Sequence, residues 1–216
     1  MSSASKKWVP ALGRWRSVSL YVRVVRWFSL TDLPHVIARD LELQPGMRAL
    51  DLGCGPGTLA QAALAIEPEA RLVGLDPDVS MLRHAHTQTA GKASWVAGFA
   101  QALPFPDATF DRVTMTLMLH HMKRQTKQAG LAEALRVLRP GGRLFVTDWT
   151  EPKGSARLGF VIVRLVDGFA ETEDHADGGF EELLAATGAE QLEALRTREL
   201  AIGTITHFRM RAPQPH

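Results

Sequence analysis

A doubly wound α/β domain is the fold class this sequence predicts, and three observations carry it. Arg48-Ala49-Leu50-Asp51-Leu52 reads as a short strand that runs into the glycine turn Gly53-Cys54-Gly55-Pro56-Gly57 and then an alanine-rich helix from Thr58 to about Ile66. Beyond it, short apolar runs alternate with helical periodicities, the pattern of strands joined by helical crossovers. At 216 residues the chain fits one domain that buries most of its unfolded surface.

The chemistry of the turn narrows the ligand. Gly53, Gly55 and Gly57 permit backbone angles that a Cβ disfavours and let a ligand approach the main chain. A dinucleotide fingerprint, G-x-G-x-x-G, has to hold a doubly negative pyrophosphate. Here the pattern is D-x-G-x-G-x-G, and Thr58 stands where the fingerprint puts its third glycine. Asp51 would direct negative charge at the same loop and repel a pyrophosphate. A cationic nucleoside without phosphate suits it better, and S-adenosyl-L-methionine, with its sulfonium and α-ammonium, is one. The stretch resembles motif I of the class I S-adenosylmethionine-dependent methyltransferases. A tight strand-to-helix turn with an incidental acid is the competing reading.

The second strand, Arg71-Leu72-Val73-Gly74-Leu75, ends in Asp76, one strand-helix-strand unit after Asp51. A carboxylate there accepts both ribose hydroxyls, because it offers two acceptor oxygens and no donor. The resemblance implies that Pro77 and Met81 pack on the adenine. The third strand, Ser94 to Gly98, leads into Phe99-Ala100-Gln101-Ala102-Leu103-Pro104-Phe105-Pro106-Asp107, which is similar to the family stretch G-D-A-x-x-L-P-F-P-D. The chain departs from that stretch at Phe99, where the family usually has an acid that accepts from the adenine amino group. Gln101 or the Ala100 main chain then has to carry the contact; one missing hydrogen bond costs about 0.5–1.5 kcal/mol and does not exclude binding. Gly53, Cys54, Gly55, Gly57 and Leu117 complete the expected cofactor contacts.

The fourth strand, about Arg112 to Leu117, leads to Met118-Leu119-His120-His121-Met122. Ligands in open α/β sheets sit at the carboxyl ends of the strands, so His120 and His121 fall beside the expected methyl donor. The family often has Leu-His-His here. Either histidine can act as a general base, since imidazole titrates near neutrality; packing at a strand end is the alternative. No metal is expected, because no third His, Cys or acid lies nearby in sequence.

A helix from about Lys123 to Leu138 is ended by Arg139-Pro140-Gly141-Gly142, and Arg143 to Trp149 reads as the fifth strand. The run E-A-x-R-V-L-R-P-G-G-R-L again resembles the family. Asp148, near the end of that strand, faces the site region, to bind substrate, orient a histidine or cap the next loop. Residues 150–180 read as a lid insertion beside the substrate pocket, with Leu158, Val161, Ile162, Leu165 and Phe169 at helical spacing. The acidic run Glu171 to Asp177 reads as a solvated loop, with Asp174 and His175 as outside candidates for the site. A short helix from Phe180 to Ala186 and two strands, about Leu192–Leu200 and Gly203–Arg211, close the chain as an antiparallel hairpin at a sheet edge.

Ahead of the glycine loop, residues 32–43 read as a helix capped by Asp32, with Pro34 in its first turn and Leu33, Val36, Ile37 and Leu41 as its stripe. Residues 1–31 hold six Lys or Arg, no acid and three of the five tryptophans. Val18, Tyr21, Val22, Val25 and Phe28 recur at amphipathic spacing. Four readings stay open: a helix folded over the active site, a membrane-surface helix, a targeting presequence and a loose tail. Residues 1–43 thus form an N-terminal helical cap on a single methyltransferase domain spanning 1–216.

The resemblance is to the small-molecule branch that includes quinone-biosynthesis and phosphatidylethanolamine methyltransferases. It implies a Rossmann-like seven-stranded mostly parallel sheet of order 3-2-1-4-5-7-6, with strand 7 antiparallel and helices on both faces. It also implies S-adenosyl-L-methionine as methyl donor, S-adenosyl-L-homocysteine as product and a small-molecule acceptor. A non-catalytic domain that binds the cofactor or a related nucleoside is the alternative. A net charge of +2 does not call for nucleic acid, one cysteine forms no internal disulfide, and no run approaches the ~18 apolar residues of a membrane span. A cytoplasmic location is the expectation, with membrane-surface contact through residues 1–30 as an open one.

Overall fold

A computed structural model describes residues 31–214. Most expectations for residues 1–31 therefore lie outside the described residues. The chain runs α1 (Leu33–Asp40), β1 (Arg48–Leu52), α2 (Thr58–Ile66), β2 (Arg71–Asp76), α3 (Val79–Gln88), β3 (Ser94–Ala97) and β4 (Phe110–Thr116). A 3-10 turn (Leu119–His121) precedes α4 (Arg124–Val137), β5 (Leu138–Thr150), α5 (Ala156–Asp167), α6 (Glu173–Asp177), α7 (Gly179–Ala185), β6 (Glu190–Leu200) and β7 (Gly203–Arg211). The seven strands form one sheet of order β3-β2-β1-β4-β5-β7-β6. β1 to β5 pair in parallel, and β7 runs antiparallel to both β5 and β6. This is the strand order and pairing direction that the family resemblance implies.

Alternation along β1 decides which side chains reach which layer. Leu50 and Leu52 join the core formed with Leu131, Ala134 and Val137 of α4 and with Phe180, Leu183 and Leu184 of α7. Ala49 joins the opposite core, with Ile37, Ala38 and Leu41 from the α1 segment and Leu59, Ala60 and Ala63 of α2. Asp51 shares the face of Ala49, at the strand end where that cover gives out. A third cluster, Trp149, Phe160, Val163 and Ile205, seats α5 against the hairpin β6–β7.

Three local expectations are corrected. Asp32 makes no side-chain cap on α1; its carboxylate instead takes two hydrogen bonds from Arg198 on β6, at 2.8 and 2.5 Å. Arg139-Pro140-Gly141-Gly142 is not a linker between helix and strand. β5 begins at Leu138, pairs with Phe110, and resumes register only at Arg143 opposite Arg112, so the four residues form a bulge inside the strand. The acidic run is not a solvated loop either. Glu173–Asp177 is a helical turn in which Asp174 and His175 are buried, because Asp174 meets the cations Arg124 and Lys127 on α4. His35, on α1, is exposed.

Candidate active site

The glycine loop closes on itself and on its neighbour strand. Gly53 and Cys54 both donate backbone N–H groups to the Leu75 carbonyl, at 2.8 and 3.2 Å. Gly57 takes a left-handed conformation with φ +79° and stands at the N-cap of α2. A Cβ on it would meet the Ala85 Cβ at 2.7 Å and Trp95 at 2.9 Å, so the loop packs directly on α3 and on a β3 ring. A Cβ on Gly55 would meet nothing within 4 Å, which leaves the loop's middle open to a ligand.

Two carboxylates flank this opening. Asp51 accepts a hydrogen bond from Thr114 Oγ1 at 2.7 Å; the two residues are register partners on β1 and β4. Asp76 accepts from the Gly55 N–H at 2.9 Å on one oxygen and from the Asp78 N–H at 2.8 Å on the other. Asp78 in turn caps α3 through Ser80 N. Removal from water pushes Asp51 up to about 7, against the Thr114 bond and with the help of the Asp76 charge. Burial likewise raises Asp76, opposed by its two backbone bonds. Among the described residues neither acid makes an ion pair with Lys, Arg or His. Cys54 is buried, and that burial together with both acids pushes its thiol up, so it is not a nucleophile.

The residues expected around the adenine differ in exposure. Met81 and Ala100 are buried, Pro77 is half-buried, and Phe99 is 43% exposed. Gln101 holds a buried Oε1 that has no partner, an acceptor available where Phe99 supplies none. Leu117 adopts φ +49° and donates its N–H to the Thr147 carbonyl at 2.8 Å, turning the chain from β4 toward the histidines.

His120 and His121 lie 4.0 Å apart between ring centroids, their planes tilted by 43°, and two acids stand against them. His120 Nδ1 lies 2.6 Å from Asp148 Oδ1, both side chains buried. Asp148 also accepts the Leu119 N–H at 2.8 Å and the Trp149 N–H at 2.8 Å. Of its three expected roles, orienting a histidine is the one its contacts match. Burial works against the His120 charge, but Asp148 and Asp167 outweigh it and its pKa stands above the ordinary value. Burial and the neighbouring His120 hold His121 below its own.

Asp167 was not among the expected site residues. It ends α5 and reaches His121 Nδ1 at 3.2 Å and His120 Nε2 at 3.8 Å. No third ligand stands near the histidine pair in sequence, but α5 brings one near in space. Thr114 and Trp95 were missed too. Thr114 follows from the strand order, since β1 and β4 are neighbours; nothing local marks Trp95. Asp174 and His175 stay off the glycine loop: Asp174 faces α4, and His175 Nδ1 lies 2.6 Å from the Trp149 carbonyl and stacks on Phe180.

Known proteins resemble this chain in sequence and in fold. Residues 49–142 match the methyltransferase-domain family. The chain is 40% identical over 111 residues to a ubiquinone/menaquinone biosynthesis C-methyltransferase of Paracoccus denitrificans, covering 49% of this chain and 44% of that protein. It is also 40% identical over 119 residues to a 37.1 kDa protein of transposon TN4556 in Streptomyces fradiae, covering 53% of this chain and 34% of that one. The chain thus spans less than half the length of these curated relatives. Among solved structures, an O-methyltransferase family protein from Burkholderia thailandensis shares the fold at TM-score 0.70 and 16% identity, over 92% of this chain and 59% of that one. A SAM-dependent methyltransferase from Aquifex aeolicus does so at TM-score 0.62 and 18% identity, over 88% and 97%. The matched segment begins inside β1 and runs on past β4 and α4, so the likeness to methyltransferase domains covers the glycine loop, both acids and the histidine turn.

Proposed function

We propose that this chain transfers a methyl group from S-adenosyl-L-methionine to a small, lipophilic acceptor by in-line displacement. The observation that carries the reading is the pair Asp51 and Asp76, set at adjacent strand ends around an open glycine loop with no basic partner among the described residues. Two desolvated carboxylates without a cation fit a cationic nucleoside and repel a phosphate. Asp51 would face the amino-acid ammonium. Asp76 spends one acceptor site per oxygen on backbone and keeps one per oxygen for the ribose diol. Gly53, Cys54, Gly55 and Gly57 would line the amino-acid end; Pro77, Met81, Phe99, Ala100, Gln101 and Leu117 would border the adenosine, with Gln101 Oε1 accepting from the adenine amino group.

The cofactor supplies an electrophilic methyl and leaves as neutral S-adenosyl-L-homocysteine. The protein's part is alignment and water exclusion, since anionic stabilisation of the ground state does not speed a step in which positive charge is lost. His120 and His121 lie on the acceptor side. An acceptor that is already a neutral amine needs no proton removed; an oxygen or carbon acceptor does, and that proton is where the pair would act.

A lipophilic acceptor is favoured by α5. Its outer face shows Leu158 at 81% exposure, Leu165 at 69%, and Val161, Ile162, Val166 and then Phe169 beside them. Large contiguous apolar patches mark interaction sites. Residues 150–180 would serve as the lid and 1–43 as the cap of one domain. The basic N-terminus would touch a membrane surface, and flotation of the full chain on anionic liposomes beside a variant lacking residues 1–30 tests that contact. No described helix is long and apolar enough to cross a membrane.

Calorimetry of the full chain with S-adenosyl-L-methionine and S-adenosyl-L-homocysteine tests the premise. Binding of both, weakened in Asp76→Ala, is expected; no binding by the wild type overturns the reading. Transfer of labelled methyl into a lipid or quinone extract then separates the enzyme from the second reading, a cofactor-binding domain without turnover. Phe99, in the place of an acid, is the feature that favours that second reading.

A further inference from the structure

We infer that His120, His121 and Asp167 form a binding site for one divalent first-row transition-metal ion, with Asp148 as its outer support. Asp148 as a carboxylate can only accept, so the 2.6 Å contact puts a ring proton on Nδ1 of His120. In the neutral ring Nε2 then carries the lone pair, 3.8 Å from the Asp167 carboxylate. A cation between the two satisfies both, and a metal ion supplies it without a second ring proton. His121 brings Nδ1 to 3.2 Å from the other Asp167 oxygen. One ligand atom from each of the three residues lies within 4.8 Å of the others.

These separations match a coordination sphere. Nitrogen and oxygen ligands at 2.0–2.2 Å in tetrahedral geometry stand roughly 3.3–3.5 Å apart, and the two measured contacts bracket that spacing. Two imidazoles and one carboxylate suit zinc, iron, cobalt or nickel better than magnesium or calcium, and three protein ligands leave positions open for water. A ligating histidine normally gives its other ring N–H to a carboxylate. Asp148 does this for His120, and it is fixed in turn by the Leu119 and Trp149 N–H groups.

Charge points the same way. Asp148 and Asp167 are both largely withdrawn from solvent. The nearby cations Lys127 and Arg124 are committed to Asp174. A bound divalent ion balances the two carboxylates. The three ligands come from the turn after β4 and the end of α5, so the ion would pin the lid helix to the sheet. The site does not rest on the methyl-transfer reading, and its test reads no turnover.

The full chain, stripped with chelator, is titrated with Co²⁺ and followed by its visible absorption, with Zn²⁺ as competitor. One equivalent of Co²⁺ with bands of four- or five-coordinate geometry, displaced by Zn²⁺, is expected. Asp167→Asn and His121→Ala should each weaken uptake at least tenfold, and Asp148→Asn about 10–100-fold. His86→Ala, on the exposed side of α3, should leave it unchanged. Circular dichroism checks each variant, and His121→Ala answers alone if Asp167→Asn does not fold. Absence of stoichiometric uptake overturns the site, as does uptake that survives the His121 change or is lost with His86; a proton on His120 then fills the place assigned to the metal.

Discussion

Gly55 donates its backbone N–H to Asp76 Oδ2 at 2.9 Å, so the acid that ends β2 holds the loop that follows β1. One side chain thus fixes the glycine turn and presents acceptors to a ligand. Replacing it orphans two N–H groups, Gly55 and Asp78, and removes the acceptors proposed for the ribose. Asp76→Ala is predicted to weaken S-adenosyl-L-methionine binding about 100-fold, the equivalent of two lost hydrogen bonds to a charged group. The same change should cost about 1–3 kcal/mol of stability through the unpaired donors. Calorimetry and thermal denaturation measure the two separately. A fall in stability alone would assign Asp76 to the loop and not to the ligand.

Asp51 sets a pH dependence. Its carboxyl, without ligand, is raised from the ordinary carboxylate range to about 7, first by desolvation and then by the Asp76 charge. A cationic ligand binds the ionised form, so below pH 7 the acid must first lose its proton. Cofactor affinity should fall by up to tenfold per pH unit from about pH 7 downward and level off above it. The stability effect has the opposite sign. The folded state holds this proton more tightly than the unfolded state does, so the stabilisation is present at low pH and lost as pH rises through about 7. Asp51→Asn should therefore bind weakly at every pH, lose the slope, and melt at a higher temperature than the wild type at pH 8.

The acid-flanked loop could be read from the sequence because it is local, whereas the strand order came only with the family resemblance. Asp51, Gly53, Gly55 and Gly57 lie within seven positions, and a turn of this kind declares itself through glycine and charge alone. Asp76 follows at the distance of one supersecondary unit. Thr114, Trp95 and Asp167 could not be seen that way. Each meets its partner only through a crossover connection, and Thr, Trp and Asp at those positions look like ordinary strand or helix-end residues. The acidic run 171–177 failed for a related reason. Its charge reads as solvation until α4 supplies Lys127 beneath it, and a buried lysine has no signature in a single sequence.

Trp95 ties the glycine loop to the sheet. Gly74 on β2 is its register partner on β3, and the indole lies flat across the glycine. A Cβ at 74 would stand 2.3 Å from Trp95 Cζ3 and 2.8 Å from the Cys54 sulfur. The same ring touches the space of Gly57, so moving it disturbs the turn. Gly74→Ala is predicted to cost about 1–3 kcal/mol by overpacking. Trp95→Leu on the same background makes room, and the pair should be non-additive in denaturant unfolding, with coupling of about 0.5–3 kcal/mol. Independent, additive losses would show that ring and glycine do not share this contact.

Lys127 and Asp174 join α4 to α6. The Lys127 side chain is fully buried, with Nζ 3.1 Å from Asp174 Oδ2 and 2.7 Å from the Glu171 carbonyl. Burial lowers its pKa, and Asp174 opposes that shift. Arg124 also meets Asp174, but its side chain is 49% exposed and stays solvated if the acid is removed. Asp174→Ala therefore leaves one uncompensated buried ammonium, at a cost of about 3–5 kcal/mol at pH 7. The folded variant holds the Lys127 proton less tightly than the unfolded chain, so its stability rises as pH climbs toward the unfolded lysine range, about 10.4, where the neutral amine removes the penalty. Lys127→Met on the same background removes the charge outright and should recover most of the loss at pH 7. A loss that is independent of pH and is not recovered by Lys127→Met would mean that packing of α6, and not the ion pair, holds this segment on α4.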